Sequence, residues 1–335
     1  MPFVLSFHAA YRCRDAGVCC SSGWPIAIEE DRAGDVRAAL ATGRLVNRHP
    51  VPAFTGHEAG PATLSVVQGT CVFHGGARGG CAIHHALGHA ALPLACRQFP
   101  RVTVRDPRGL SVTLSHYCPT AAGMLGSGRP VSIGQHPEGF PIDGEYVGLD
   151  ADEALPPRLR PDMLMDWESW WIWERLAVST LAASPDAGEG LARLRGAVEH
   201  VRSWRPSDGD LASRVEAAFR TPPLVRPASA GSRRRRIVEV ASAIPEDARP
   251  ADLSPPSVGD PPPAVRRDFL IAHAFANWTA HLGPGLRTWL RSLEAADALI
   301  GAGIGVGTAD LWLRHLADPW ALAEVWAQAE GEPRT

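Results

Sequence analysis

Residues 96–118 read Cys96-Arg97-Gln98-Phe99-Pro100-Arg101-Val102-Thr103-Val104-Arg105-Asp106-Pro107-Arg108-Gly109-Leu110-Ser111-Val112-Thr113-Leu114-Ser115-His116-Tyr117-Cys118. Two runs in this stretch, Arg101 to Arg105 and Leu110 to Ser115, alternate polar and apolar side chains. That period of two marks a strand with one face turned to a core. Between them, Asp106-Pro107-Arg108-Gly109 carries turn chemistry, with proline setting φ and glycine closing the reversal. The stretch predicts an antiparallel hairpin. Antiparallel strands bring their outer ends together, so Cys96 just before and Cys118 just after are expected to be neighbours.

Working back along the chain, Thr70-Cys71-Val72-Phe73 and Cys81-Ala82-Ile83-His84 flank the loop His74-Gly75-Gly76-Ala77-Arg78-Gly79-Gly80. Glycine accepts positive φ without a steric penalty, so this segment also reads as a hairpin. Pairing about Gly76 would set Cys71 opposite Cys81, with Cα atoms roughly 4.5–5.5 Å apart. Further back, a short strand at residues 3–7 leads into Cys13-Arg14-Asp15-Ala16-Gly17-Val18-Cys19-Cys20. All seven cysteines of the chain lie between positions 13 and 118.

Thiolates are soft donors that select Zn²⁺, Cu(I) or iron–sulfur clusters. Cys13, Cys19, Cys20, Cys71, Cys81, Cys96 and Cys118 are therefore the candidate metal ligands. Four ligands suffice for one centre, so some of the seven fit equally as small buried hydrophobes. Cys19 and Cys20 serve one centre only where the backbone turns, because successive side chains of extended backbone face opposite ways. His74, His84, His85, His89 and His116 fall in the same stretch, as ligands or as hydrogen-bonding partners of ligands. Arg97 and Arg101 flank Phe99-Pro100 and suit either an anionic substrate or the balancing of thiolate charge.

The chain of 335 residues is 45% apolar with a formal charge of −3, which leaves ample core material and no global attraction to nucleic acid or anionic membranes. Every one of its 33 basic residues is arginine, which excludes a P-loop lysine, a Schiff-base lysine and a lysine general base. No run approaches about 18 apolar residues, so no spanning helix is expected. Clustered cysteines in odd number, behind an N-terminus unlike a signal peptide, suit metal ligation in a cytoplasmic protein better than a disulfide framework.

Around this stretch the pattern is helical. Helices are expected from about Asp31 to Leu45 and in short pieces over 85–99, where Gly88 and Pro93 interrupt. Loops with short strands follow from Pro119 to Pro161. Beyond them, helices are expected over Asp162 to Ala183, 187–204, Ala212 to Phe219, Arg233 to Ala243, Arg267 to Leu299 with a break at Gly283-Pro284-Gly285, Ala309 to Leu316 and Pro319 to Ala329. The tryptophans from Trp167 to Trp173 read as core. The run Arg233 to Arg236 reads as a solvated helix start rather than a nucleic-acid contact. Gly301 to Gly307 follows a helix rather than a strand, so it lacks the structural basis of a dinucleotide loop.

The residues Cys13…Cys19-Cys20-Ser21-Ser22-Gly23-Trp24, Cys71-Val72-Phe73…Gly80-Cys81-Ala82-Ile83-His84, Leu92-Pro93-Leu94-Ala95-Cys96-Arg97-Gln98-Phe99-Pro100-Arg101 and Ser115-His116-Tyr117-Cys118-Pro119 resemble, in their order, the YkgJ-type cysteine-cluster family. Its members are described as zinc- or iron-chelating proteins and include the flagellin lysine-N-methylases. The resemblance covers the first 120 residues or so. It implies a metal held by the cysteines and, for the methylase branch, modification of a protein substrate. This chain departs from the family at Ala16, where another cysteine usually precedes the Cys-Cys pair, and it lacks the C-x3-C-x2-C spacing of radical enzymes.

The sequence reading is thus an α+β fold. Residues 1–150 form a cysteine-cluster metal-binding domain of hairpins and short helices, packed on a mainly helical part, 151–335, with a proline-rich linker or wrap near 205–265. The expected function is that of an iron–sulfur protein, extended by the resemblance to methyltransferase-like modification of protein lysines. The alternative is a zinc-stapled binding or scaffold protein without catalysis. A metal-free cysteine nucleophile leaves the paired hairpins unexplained. No residue stands out as catalytic.

Overall fold

The computed structural model describes residues 1–56, 62–75, 80–136, 146, 148–151, 155–220 and 261–316. The expected helices at Arg233 to Ala243 and Pro319 to Ala329, the Arg233 to Arg236 run, most of the proline-rich segment and Gly76 to Gly79 lie outside these residues. The fold is α+β. Its centre is a five-stranded sheet of β1 (Phe3–Leu5), β2 (Arg101–Asp106), β3 (Gly109–Leu114), β4 (Ile133–Gln135) and β5 (Leu149–Asp150), in the order β5-β2-β3-β1-β4. The β2–β3 hairpin forms in the register its turn dictates, from Arg101 opposite Leu114 to Asp106 opposite Gly109. Strand β1 joins β3 in parallel, with Phe3 beside Ser111 and Val4 beside Val112.

That register sorts the side chains into two faces, because alternate residues of a strand point opposite ways. Leu5 and Val104 face a helical body and share its core. Thr113, on the same face, donates its hydroxyl to the Ala272 carbonyl at 3.1 Å. On the other face, Val4, Leu110, Val112 and Leu114 pack with Tyr11, Cys118 and Ala121. The alternation suggests one wet face. Both are in fact covered, and the small polar residues Thr103, Ser111 and Thr113 are all buried.

The helical body comprises α4 (Trp167–Ala183), α5 (Ala187–Arg202), α6 (Leu211–Arg220), α7 (Pro263–Ala274), α8 (Trp278–Leu282), α9 (Leu286–Gly301) and α10 (Val306–Leu311), numbered after three helices of the cysteine-bearing part. Side chains just ahead of several helices satisfy otherwise orphaned N–H groups: Asp166 accepts from Ser169 N, Asp186 from Glu189 N and Asp210 from Ser213 N. Trp170, Trp173 and Trp289 are fully buried, and the rings of Trp173 and Trp289 meet edge to face at 5.4 Å. The expectation that the tryptophans from Trp167 to Trp173 form core is met for Trp170 and Trp173, while Trp167 and Trp171 are partly buried against it. Two helical expectations are corrected. Met163–Leu164 pairs with Arg158–Arg160 as a strand, so α4 starts at its Asp166 cap. The Arg267 to Leu299 pattern breaks twice, because Ala276 takes a left-handed φ of 51° between α7 and α8.

The cysteine-bearing part contains α1 (Glu30–Ala41), α2 (Ala82–Leu87) and α3 (Leu94–Gln98). Helix α1 begins one residue before Asp31 and ends four before Leu45, which still packs in the same cluster. Its core gathers Ile26, Ile28, Val36, Leu64, Phe73, Ile83 and Leu92 around Cys20 and Cys71. The chain does reverse across the glycine loop, with His74 and Cys81 in an antiparallel bridge and Ala82 N donating to the Phe73 carbonyl, but the register expected about Gly76 is not kept. Thr70–Cys71 pairs instead with Val66–Val67, so Cys71 lies opposite Val66. Gln68 and Gly69, both at positive φ, make that tighter reversal. Cys81 bridges to His74 and precedes helix α2. Among the described residues no helix is long and apolar enough to cross a membrane.

A buried carboxylate ties the hairpin turn to the helical body. Glu174 on α4 accepts from Arg108 Nη2 at 2.8 Å and from the Ala276 N–H at 2.9 Å, and is itself 1% exposed. Replacing it by alanine strands the buried Ala276 amide, while Arg108 keeps Ser111 and Asp106. Glu174→Ala is expected to lower the unfolding free energy by about 1–3 kcal/mol, and Glu174→Gln by less, as read from urea denaturation midpoints. Equal stability of Glu174→Ala and the natural protein would refute this role.

Candidate metal centre

Six of the seven cysteines, all but Cys71, line one cavity of about 480 Å³. They arrive from five segments. Cys13 sits on the loop after β1. Cys19 and Cys20 lie in a turn of 3₁₀ helix at Val18–Ser21, which answers how adjacent residues reach one site. Cys81 stands at the start of α2, Cys96 lies within α3, and Cys118 follows β3. All seven carry free thiols.

The sulfurs form two groups. The inner group is Cys19, Cys20, Cys71, Cys81 and Cys96, which influence one another's ionisation. Cys118 instead stands 3.8 Å from the Tyr11 hydroxyl, whose ionisation also feels Cys13. Cys71 and Cys81 lie in one cluster, but they are not opposed across strands as expected. Cys96 and Cys118 share the cavity wall, but the thiols that Cys96 feels most are Cys81, Cys19 and Cys71.

Within the inner group the protons are unevenly shared. The neighbouring thiols Cys19 and Cys81 push the Cys20 thiol far up, and Cys20 in turn is the main influence pushing both of theirs down. Cys81 falls to about 6, helped after Cys20 by the backbone N–H groups of Ile83 and His84. Burial pushes Cys71 up to about 11, and burial with neighbouring thiols pushes Cys96 up as well. The lowered Cys81 is the group's most readily ionised thiol, and thiolates are the form that binds metal.

Close backbone approach brings the first segment to the third. Gly17 and Gly80 both have φ near +72° (72° and 73°), and a Cβ on Gly17 would lie 2.6 Å from Gly80 N. Only glycine allows that contact. Asp15 reinforces it by pairing with His85 at 2.8 Å and His84 at 3.6 Å. His84 and His89 line the cavity. His74 contributes its backbone bridge to Cys81, and His116 points away from the cavity into the interior.

His116 belongs to a second cluster that the sequence reading did not identify. Asp310 on α10 accepts from Ser115 Oγ at 2.6 Å, His116 Nδ1 at 3.2 Å, His273 Nε2 at 2.9 Å and Arg314 Nε at 3.0 Å. Burial alone would push its carboxyl up, but Arg314 and the two histidine bonds hold it well below the usual range. An ionised carboxylate only accepts, so His116 Nδ1 and His273 Nε2 carry the protons. Neutral His116 then accepts at Nε2 from His8 Nε2, 3.1 Å away. His116, His273 and Asp310 are the only trio of ligand atoms mutually within 4.8 Å among the described residues. Their donors are already spent on one another, and Arg314 supplies the positive charge a cation would bring. We read this cluster as a buried clamp. Nothing in local sequence pattern joins residues 8, 116, 273 and 310, so only the tertiary fold reveals it.

No protein-family model, curated protein or solved structure matches this chain.

Two titrations check these assignments. In metal-free protein, alkylation of Cys81 by iodoacetamide is expected to follow a midpoint of about 6, and Cys20→Ala is expected to move it upward. An unmoved midpoint would remove Cys20 from this role. For the clamp, burial lowers His273 to about 4 from its ordinary value of about 6.5. Its contribution to stability is complete above the unfolded value and is lost as pH falls through the folded one. The melting temperature should therefore drop from pH 7 to pH 4, and His273→Gln should flatten that drop.

Proposed function

We propose that this protein is a cytoplasmic metalloprotein that holds an iron–sulfur cluster on the thiolates of the inner cysteine group. The observation carrying this reading is the convergence of five cysteines from four segments in one buried cluster. Cys19, Cys71, Cys81 and Cys96 would hold the cluster, and Cys20 would hydrogen-bond to it or join the ligands. Cys13 and Cys118 stand across the cavity.

The spread of the sulfurs favours a cluster over a single ion. Zinc bonded to four sulfurs at about 2.3 Å holds them roughly 3.8 Å apart. Among the described residues no three cysteine sulfurs lie mutually within 4.8 Å. A multi-iron cluster separates its thiolates further, because several irons and sulfides lie between them. Such a cluster supplies one-electron chemistry or an iron-bound substrate. The chain's own part is to keep the thiolates in place and to line the cavity with Leu92, Leu94 and Phe99, which limit water.

The similarity to flagellin lysine-N-methylases extends this reading to modification of a protein substrate, and that extension rests on the resemblance alone. The second reading is a zinc staple in a binding protein. It is favoured by the slight regular structure around the cysteines, where strands such as Ile26–Ala27 and Thr70–Cys71 have two residues each.

The test is metal analysis of anaerobically purified protein and its variants. Cys81→Ser and Cys96→Ser are each expected to weaken metal retention at least about tenfold, the loss that even a ligand's hydrogen-bonding partner can cause. Full metal content in both variants would contradict the proposed ligand set.

A further inference from the structure

The cavity beside the sulfur group holds more positive charge than its carboxylates match. Arg14, Arg97 and Arg101 line it, against the single lining carboxylate of Asp15, and Asp15 is engaged by His84 and His85. Arg101 lies over the Tyr11 ring and donates from Nη1 to the Gln98 carbonyl. The Arg97 Nε is buried with no hydrogen-bond partner among the described residues, and the Arg101 Nε is buried too.

A buried, unpartnered guanidinium nitrogen is costly and calls for a partner. The thiolates are one option, since Arg97 follows Cys96 directly. Three arginines nevertheless line the cavity against one carboxylate, so positive charge remains for an anion that enters beside the sulfurs.

The rest of the wall describes that visitor. Val18, Leu92, Leu94 and Phe99 provide apolar surface, and a volume of about 480 Å³ falls within the roughly 300–1,000 Å³ of small-molecule sites. A guanidinium presents parallel N–H groups that match a carboxylate or a phosphate. We infer that this cavity is a binding site for a small oxyanion carried on an apolar body, with Arg97 as the seat of the oxyanion and the sulfur group forming the opposite wall. The site shares its cavity with the proposed metal centre but does not depend on the metal. It also separates the two readings above, because a structural zinc site is closed and has no use for a charged cavity.

Calorimetric titration of the full chain, as purified, tests this with benzoate and phenyl phosphate as probes and benzyl alcohol as the neutral control. Metal content is measured on the same samples. At least one anion is expected to bind while benzyl alcohol does not, and Arg97→Gln is expected to weaken that binding about tenfold or more at unchanged metal content. Arg97→Lys keeps the charge without the fork and should weaken it less. Binding of benzoate alone assigns a carboxylate, and of phenyl phosphate alone a phosphate. Affinities equal in the natural protein and both variants would overturn the inference. So would binding of neither anion, or Arg97→Gln losing metal while anion affinity holds. Arg97-dependent binding in a protein that carries no metal would leave this inference standing and remove the metal reading.

Discussion

The Asp310 carboxylate is the fixed point from which the position of the cysteine cavity follows. It is fully buried, yet it accepts from Ser115, His116, His273 and Arg314 at once. A buried charge is tolerated only when such bonds replace water. These bonds reach the end of β3, helix α7 and the segment after α10, and the His8–His116 contact adds the turn after β1. Arg314 also donates to the Ala272 carbonyl, as does Thr113 from the sheet. The residues so anchored lead directly into Cys118 on one side and towards Tyr11 and Cys13 on the other. A rigid helical body thereby holds one wall of a cavity that has little regular structure of its own.

The sheet acts as a partition. Its helix-facing side shares a core with the tryptophan-bearing helices, and its other side supports Tyr11 and Cys118. The opposite wall is built differently, from short helices and a backbone contact between Gly17 and Gly80. That contact brings Cys19 and Cys20 to Cys81, where the Cys20 thiol favours ionisation of Cys81. Soft donors, a lowered thiol and an apolar surround are the ingredients of a cysteine-held metal, and the arginine beside them gives the cavity a second role.

Much of this was legible in the sequence wherever the signal was local. The β2–β3 hairpin follows from its alternation and its Asp-Pro-Arg-Gly turn. The helices follow from their apolar period, and their Asp caps show only in the structure. The gathering of the cysteines in one third of the chain foretold their meeting. What failed was pairing inferred from symmetry. The glycine loop after Phe73 suggested that Cys71 and Cys81 face each other across strands, but Gln68 and Gly69 make a tighter turn and claim Cys71 first. The two adjacent cysteines needed a 3₁₀ turn that no pattern marks. The Asp310 clamp joins residues some 300 positions apart, in four elements whose local sequence says nothing of one another.

The proposed iron–sulfur cluster on the inner thiols has a chemical signature of its own. It is read from the iron and acid-labile sulfide content of the protein purified without oxygen, together with its visible absorption. A brown protein is expected, in which iron and sulfide occur in comparable amounts and are lost together on chelation. A colourless protein carrying one zinc and no sulfide would contradict it.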